Sequence, residues 1–588
     1  MTNKIISTTC RDCDATCGAL IHVEDGKVVK AEGDHGNPLS RGAFCSKDSA
    51  LPQIVYHPER LKYPLKRAGE RGEGKWEQIS WDDALDEIAE RLKRVKEQYG
   101  AEAFVFNCGH LTELDGAFGN MFLHCFGSPN RLVSFYCCGM GINFASLYTL
   151  GCILLNGPAP KNSRCIIVWG TNLDVSRPTD WLLDVNDALA NGARLIVIDP
   201  RLTDMAARAD IWLQVRPGTD CALALGMLNV IINEGLYDQD FVNTWTVGFD
   251  KLSQHAQDYP PERVEAITWV PAQLIREAAY MYARNKPSCV IPGSACLSQS
   301  ANAFEANRAI AILIAICGNF DVPGGNVDYR SPLGRRANAV SQMDLSFGKL
   351  SPEQIKKRLG TDEFRLIADR GFSIAHPKAV WRAILSGEPY PVKAMLSIGA
   401  NLLLCSENAL EVREALMKLD YFAVSELFMT PTAELADIVL PAAHWLEKDG
   451  IADNQTRNWV FCQRKVVEPP GECWDDTRIL VELAKRLGLE EYWDSVEQAL
   501  DYKLEPLGIT FEQFKEKGMY GGAVEYKKYE KFGKFLTRSG KVELYSKTLE
   551  KLGYDPLPTF AEPPESPISR PELATEYPLI LITGVRVP

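Results

Sequence analysis

Between residues 18 and 34, in GALIHVEDGKVVKAEGD, apolar and polar positions alternate on either side of an Asp25-Gly26 pair. Period-two patterning around Asp-Gly predicts a two-stranded hairpin with a tight turn at that pair. From residue 80 the period changes. Trp81, Leu85, Ile88, Leu92 and Val95 recur at helical spacing, Ser80 stands at the N-cap position with Asp83 three residues on, and Gly100 marks the end.

Later the apolar positions become continuous short runs. CIIVWGTNL (165–173) breaks at Gly170, and RLIVIDP ends its run at Asp199. AMLSIGANL breaks at Gly399, and YFAVSELF follows at comparable spacing. Strand, Gly-x-Asn-Leu, helix, strand therefore occurs twice. Each copy reads as half of a doubly wound α/β fold, with ligands expected beyond the strand C-termini. Two ordinary parallel crossovers would give the same runs, but the likeness of the two polar loops favours two nucleotides or one two-headed ligand. Residues 331–391 are irregular and polar, an excursion between the copies. A Pro-rich stretch from Phe560 leads into YPLILITG, which predicts a strand.

The chain has 588 residues, 46% hydrophobic and 24% charged, enough for about three or four domains of ordinary globular composition. Its net charge of −13 argues against a nucleic-acid partner. No apolar run reaches bilayer-spanning length, so no direct membrane insertion is expected. MTNKIISTTC has neither a hydrophobic core nor paired arginines, so the expected location is the cytoplasm, where the 17 cysteines stay reduced.

Three of those cysteines crowd into CRDCDATCGA. Cys10, Cys13 and Cys17, with Cys45 after a long gap, suit the corners of an iron–sulfur cube better than the two separated pairs of a structural zinc site. Zinc and unliganded thiols remain the alternatives on spacing alone. Lys47, two residues after Cys45, reads either as a solvated surface lysine or as a group beside the cluster.

Taken in order, the cysteine quartet, SKD with Lys47, GSPN, WGTN, IDPR, RPGTD, GNFDVPGGN and ELADIVLPAAHWLEKDG resemble the dimethyl sulfoxide reductase family of molybdenum and tungsten enzymes, with motif similarity to its acetylene hydratase-like members. The resemblance covers essentially the whole chain. It implies a multi-domain α/β molybdopterin oxidoreductase fold: an iron–sulfur domain over 1–59, one αβα domain over 60–137 plus 390–560, a second over 138–389, and a linker with the first strand of a truncated C-terminal domain over 561–588. That last domain, a β-barrel in the family, is expected to be missing. Implied cofactors are a 4Fe–4S cluster, two molybdopterin guanine dinucleotides, and molybdenum or tungsten.

Position by position, the resemblance makes Cys10, Cys13, Cys17 and Cys45 the cluster ligands and Lys47 the electron relay. Cys138 becomes the thiolate ligand of the metal, in preference to Cys137. One dinucleotide is expected on Gly170, Thr171, Asn172, Asp199, Arg201 and Asp220, the other on Gly399, Ala400 and Asn401 with support around Glu426 and Thr430. Without the resemblance, Asp220 reads as an N-cap for the apolar helix after it, and a cysteine in an apolar stretch as a small core residue. The implied activity is oxidation or reduction of a small-molecule substrate, with electrons passing to the cluster and on to a partner such as an iron–sulfur subunit.

Asp14 opens a second reading. A carboxyl buried beside an anionic cluster should have a raised pKa and serve as acid and base in a hydration without net electron transfer, as in the acetylene hydratase-like members. Its plainer use is to bond backbone N–H groups of the loop. A third reading is a metal-free scaffold like the large iron–sulfur subunit of respiratory complex I, or an inactive fragment. Formate oxidation is disfavoured, because Gly139 follows Cys138 where family formate dehydrogenases have His.

Overall fold

The computed structural model describes residues 3–109, 116–133, 139–152, 157–294, 296–336, 350–369, 374–454 and 457–582. The chain divides into two compact units. Unit one comprises Met1–Tyr136 and Arg330–Gly522, and unit two Cys137–Tyr329 and Ala523–Pro588.

Unit one begins with an antiparallel sheet of β1 (Asn3–Thr9), β2 (Gly18–Glu24) and β3 (Lys27–Gly33), in that order. The turn joining β2 to β3 is Asp25-Gly26, with φ of 45° and 79°. Two successive positive φ values are what a type I′ hairpin turn requires, and Asp-Gly adopts them at low cost. Two short helices follow, α1 (Ser46–Ser49) and α2 (Leu51–Val55), then β4 (Leu65–Arg67) and β5 (Trp76–Gln78). The amphipathic helix read from the apolar period is α3 (Trp81–Tyr99). Ser80 Oγ accepts the Asp83 N–H at 3.1 Å, Gly100 closes the helix, and Trp81, Leu85, Ile88, Leu92 and Val95 are all buried. After α3 come β6 (Phe104–Cys108) and β7 (Arg131–Val133).

Unit two is built on a parallel sheet. Its strands β8 (Cys165–Trp169), β9 (Arg194–Ile198), β10 (Ile211–Leu213) and β12 (Ser288–Pro292) lie in the order β10-β9-β8-β12. A two-residue strand, β11 (Thr246–Val247), pairs instead with Val542–Glu543. Residues on both faces of β8 are fully buried, which is why the strand reads as an unbroken apolar run. The helix Asp220–Asn233 is mostly apolar and buried from Asp220 to Ile232.

The chain then returns to unit one with β13 (Ala394–Ile398), β14 (Tyr421–Glu426) and β15 (Ile438–Pro441). These complete a seven-stranded sheet in the order β5-β4-β15-β14-β13-β6-β7, parallel except at β4 and β5. All four strands flanking the two Gly-x-Asn-Leu loops are therefore where the apolar runs placed them.

Two expectations differ from the structure. The division at 389/390 and the allocation of 523–560 to the first αβα domain do not match the compact units, which group 330–522 with the first and 523–588 with the second. Residues 330–389 carry little strand pattern to declare their allegiance, yet Ala375 N–H bonds the Arg131 carbonyl at 2.8 Å and Leu359 N–H bonds Asn130 Oδ1 at 3.0 Å, which ties them to unit one. Residues 523–560 attach to unit two through the Val542–Glu543 strand and the Lys528–Asp321 ion pair at 2.6 Å. The second difference is YPLILITG. Its described residues, 577–582, form no strand, and Leu579 and Leu581 are 88% and 84% exposed. Apolar alternation makes a strand only where another strand accepts its backbone hydrogen bonds.

Candidate cofactor site

The connection between β1 and β2 is the cysteine loop. Thr9 pairs with Gly18, and Cys10 N–H donates to the Cys17 carbonyl at 2.9 Å, so the first and third cysteines face each other across the hairpin mouth. Thr16 takes a φ of 52°, unusual for a β-branched residue, and its carbonyl accepts from Asn37 Nδ2 at 3.2 Å. The 33–42 segment lies tight against the loop: a Cβ on Gly18 would stand 2.5 Å from Asn37 Cβ, and one on Gly33 2.2 Å from the Gly42 carbonyl oxygen. Cys10 and Cys17 are buried in one apolar cluster with Leu51, Val55 and Trp445, against which Cys13 and Phe44 also pack. Cys45 directly precedes α1, which carries the half-buried Lys47.

The charged residues of the loop separate by exposure. Arg11 is buried, Asp12 is half-buried and accepts the Trp445 indole N–H at 2.9 Å, and Asp14 is exposed.

Among the described residues, no three His, Cys, Asp or Glu side chains converge as a single bound ion requires. A cube takes one sulfur at each corner and does not need that convergence. Cys10, Cys13 and Cys17 share one hairpin end over an apolar floor, and thiols are the donors such a group takes. Cys137 and Cys138 lie outside the described residues.

In unit two, Gly170 ends β8 with a φ of 62°, and a Cβ there would lie 2.0 Å from Cys296 Sγ. Gly293, directly after β12, donates its N–H to the Trp169 carbonyl at 2.7 Å, and a Cβ on it would fall 1.9 Å from the Gly170 carbonyl oxygen. At its two glycines the loop has no room for a Cβ. Asn172 Oδ1, Asp174 Oδ2 and Trp181 Nε1 are buried around it with no hydrogen-bond partner of the chain's own. Unmatched buried donors and acceptors are costly, so a polar ligand at this strand end fits them. Thr171 Oγ1 lies 3.1 Å from Ser176 Oγ.

Asp199 and Asp220 complete this half. Asp199 accepts the Arg201 N–H at 2.8 Å, the Arg201 side chain is exposed, and burial raises the Asp199 pKa. Thr219, not Asp220, stands at the N-cap position of that helix and makes no side-chain cap bond, and Asp220 opens the first turn with its carboxylate on the Trp169 indole N–H at 2.8 Å. Burial, then the nearby Asp199 charge, raise the Asp220 pKa against that hydrogen bond.

Unit one repeats the design. Gly399 ends β13 with a φ of 58°, Gly109 after β6 donates to the Ile398 carbonyl at 2.9 Å, and a Cβ on Gly109 would fall 1.8 Å from the Gly399 carbonyl oxygen. Ala400 is buried, and Asn401 Oδ1 accepts from Thr432 Oγ1 at 2.7 Å. Glu426 Oε2 accepts the Leu427 N–H at 3.0 Å, and Thr430 Oγ1 accepts the Ala433 N–H at 3.2 Å. Asp476 opens the helix Asp476–Leu487 as Asp220 opens its own, and accepts the Ser425 hydroxyl at 2.6 Å.

Sequence reading missed Gly109, Gly293, Asp174, Trp181 and Asp476. Both glycines follow short apolar runs, FVFNCG and SCVIPG, and both helices open with Asp before an apolar stretch, so a signal was present. What it lacked was the pairing of each glycine with a carbonyl across the sheet.

Comparison with known proteins accords with this geometry. Residues 60–486 match the molybdopterin oxidoreductase family, and residues 3–57 match the molybdopterin oxidoreductase Fe4S4 domain. The chain is 38% identical to acetylene hydratase of Syntrophotalea acetylenica, over 98% of its own length and 82% of that protein's. It is 31% identical to the probable oxidoreductase YoaE of Bacillus subtilis (95% and 80%) and 29% to dimethyl sulfoxide reductase DmsA of Escherichia coli (98% and 79%). Among solved structures it superposes on acetylene hydratase from Pelobacter acetylenicus with a TM-score of 0.91 at 36% identity, over 99% of this chain and 83% of that one. The chain belongs to the molybdopterin oxidoreductase family, with an N-terminal Fe4S4 domain and the 4Fe–4S, molybdopterin and molybdenum-or-tungsten cofactors of that family.

Proposed function

We propose that the protein adds water across an unsaturated carbon–carbon bond of a small molecule, with Asp14 as the proton-handling group. The observation that carries this reading is the placement of Asp14, directly after Cys13 in the cysteine loop that the Cys10–Cys17 backbone bond closes. Similarity to acetylene hydratase along almost the whole chain supports it.

In this reading Cys10, Cys13, Cys17 and Cys45 hold the cluster and Cys138 the metal. Gly170, Thr171, Asn172, Asp199, Arg201 and Asp220 hold one pterin dinucleotide, and Gly399, Ala400 and Asn401 the other. When bound, the metal supplies Lewis acidity toward water. The Asp14 carboxyl gives its proton to one carbon of the substrate, and its carboxylate takes a proton from the water whose oxygen joins the other carbon. One O–H bond and one carbon–carbon π bond break, one C–O and one C–H bond form, no electrons leave, and the enol that an alkyne gives becomes the aldehyde by moving its hydroxyl proton to carbon.

A second reading, electron exchange with a small-molecule substrate, is favoured by Lys47 standing on α1 two residues after Cys45 and by similarity to DmsA. It would need an electron partner, such as an iron–sulfur subunit. Anaerobic assay of the metal-loaded protein with acetylene, without an electron acceptor, separates the two. Acetaldehyde formation is expected, at least a hundredfold slower in Asp14→Asn with iron and pterin contents unchanged. Viologen-coupled turnover without water addition would overturn hydration in favour of the second reading.

A further inference from the structure

We propose that Trp445 is a positioning residue for the iron–sulfur loop, holding Asp12 through its indole N–H and so fixing the path of the chain from Cys10 to Cys17. The inference rests on reading those cysteines as cluster ligands.

Three observations converge on it. First, the bond itself spans 433 positions of sequence: Trp445 Nε1 donates to Asp12 Oδ1 at 2.9 Å. An indole can only donate and a carboxylate can only accept, so the pair has one sense and is charge-assisted.

Second, the tryptophan is itself immobilised. It is 2% exposed, and its carbonyl accepts from Gln463 Nε2 at 2.7 Å. The turn it opens is closed by a reciprocal cap between His444 and Glu447. Glu447 takes both guanidinium nitrogens of Arg60, at 2.6 and 3.0 Å, with neither side chain exposed. Arg60 donates further to the Val55 and Ala442 carbonyls at 3.1 and 3.2 Å, and Val55 shares its apolar cluster with Cys10, Cys17 and Trp445.

Third, the loop needs holding. Thr16 sits at a φ of 52°, which a β-branched residue keeps only when its surroundings impose it. The Cys10–Cys17 bond closes the mouth of the loop, and the Asp12–Trp445 bond ties down its interior.

The test uses the full chain with its cluster assembled anaerobically. Labile sulfide is measured first, then the rate at which a ferrous chelator removes iron, together with the cluster midpoint potential. Trp445→Phe keeps the ring and loses the donor; Asp12→Ala loses the acceptor; Asp12→Asn keeps a carbonyl acceptor and loses the charge. Iron release is expected about tenfold faster in Trp445→Phe and in Asp12→Ala, and no faster in the double variant than in Asp12→Ala. Asp12→Asn should stay within about twofold of the wild type, while its midpoint potential rises because a negative charge is gone. A merely structural role would not give that separation of retention from potential.

Wild-type release rates in Trp445→Phe, with labile sulfide present, would overturn the proposal. If Trp445→Phe does not fold, the two Asp12 variants decide: Asp12→Asn losing iron as fast as Asp12→Ala overturns it. Wild-type protein that takes up no labile sulfide would overturn the ligand reading, and the latch with it.

Discussion

At the scale of single residues, the two cradles depend on atoms that are not there. A Cβ on Gly293 would sit 1.9 Å from one carbonyl oxygen, and one on Gly109 1.8 Å from another, and both obstacles are backbone. No rotamer change relieves such a clash, so sheet and loop must part. Gly293→Ala should therefore cost about 3 kcal/mol, at the upper end for overfilling a packed site. Gly192 is a fair comparison: its φ is 85°, but a Cβ there meets nothing within 4 Å, so Gly192→Ala should cost only the left-handed penalty of about 1 kcal/mol. Urea unfolding of both variants measures the difference, and equal midpoints would mean the cradle is slack. Gly170 and Gly399 were legible beforehand because each interrupts an apolar run. Gly109 and Gly293 follow apolar runs as well, but their constraint comes from a neighbouring strand, and no local pattern carries it.

At the scale of elements, what could be read was what the chain decides locally. The β2–β3 turn needs only Asp-Gly, and α3 needs only its cap, its period and its closing glycine. The described residues 577–582 of YPLILITG form no strand, because a strand is a property of two segments. The turn Trp445–Glu447 was invisible for a similar reason: its cap, His444, acts only because it is buried there. His444 Nδ1 accepts the Leu446 N–H at 3.3 Å, and burial, then the charges of Arg60 and Lys448, lower its pKa to about 3 from an ordinary 6.5. A depressed histidine contributes stability that is whole above the unfolded pKa and is lost as pH falls from 6.5 toward 3. At pH 4.5 the unfolded ring is protonated and the folded one is not, so this group alone should remove about 2–3 kcal/mol relative to pH 7. His444→Gln offers an acceptor that does not titrate. Its urea midpoint should fall less between pH 7 and 4.5 than the wild type's; an equal fall would place the acid sensitivity elsewhere.

At the scale of the whole molecule, the two units carry the same site in a different chain order. In unit two β12 follows β8, β9 and β10, whereas in unit one β6 precedes β13, β14 and β15, yet each supplies the glycine against which the Gly-x-Asn loop closes. The likeness of the two loops was legible in sequence. The boundaries were not, because unit two is inserted within unit one and its last segment returns from beyond residue 522. Two matched cradles predict two nucleotides per chain, and the loop asparagines give a way to count them. Asn172 Oδ1 has no hydrogen-bond partner of the chain's own, so Asn172→Ala should cost the fold little. Asn401→Ala breaks the bond from Thr432 and should cost about 1 kcal/mol, too little to unfold unit one. Acid hydrolysis of the wild-type protein should release about two GMP per chain, and of either single variant about one, with iron content unchanged. Two GMP from Asn172→Ala would mean that its unmatched oxygen faces something other than a nucleotide. One from the wild type would mean that only one of the two cradles is loaded.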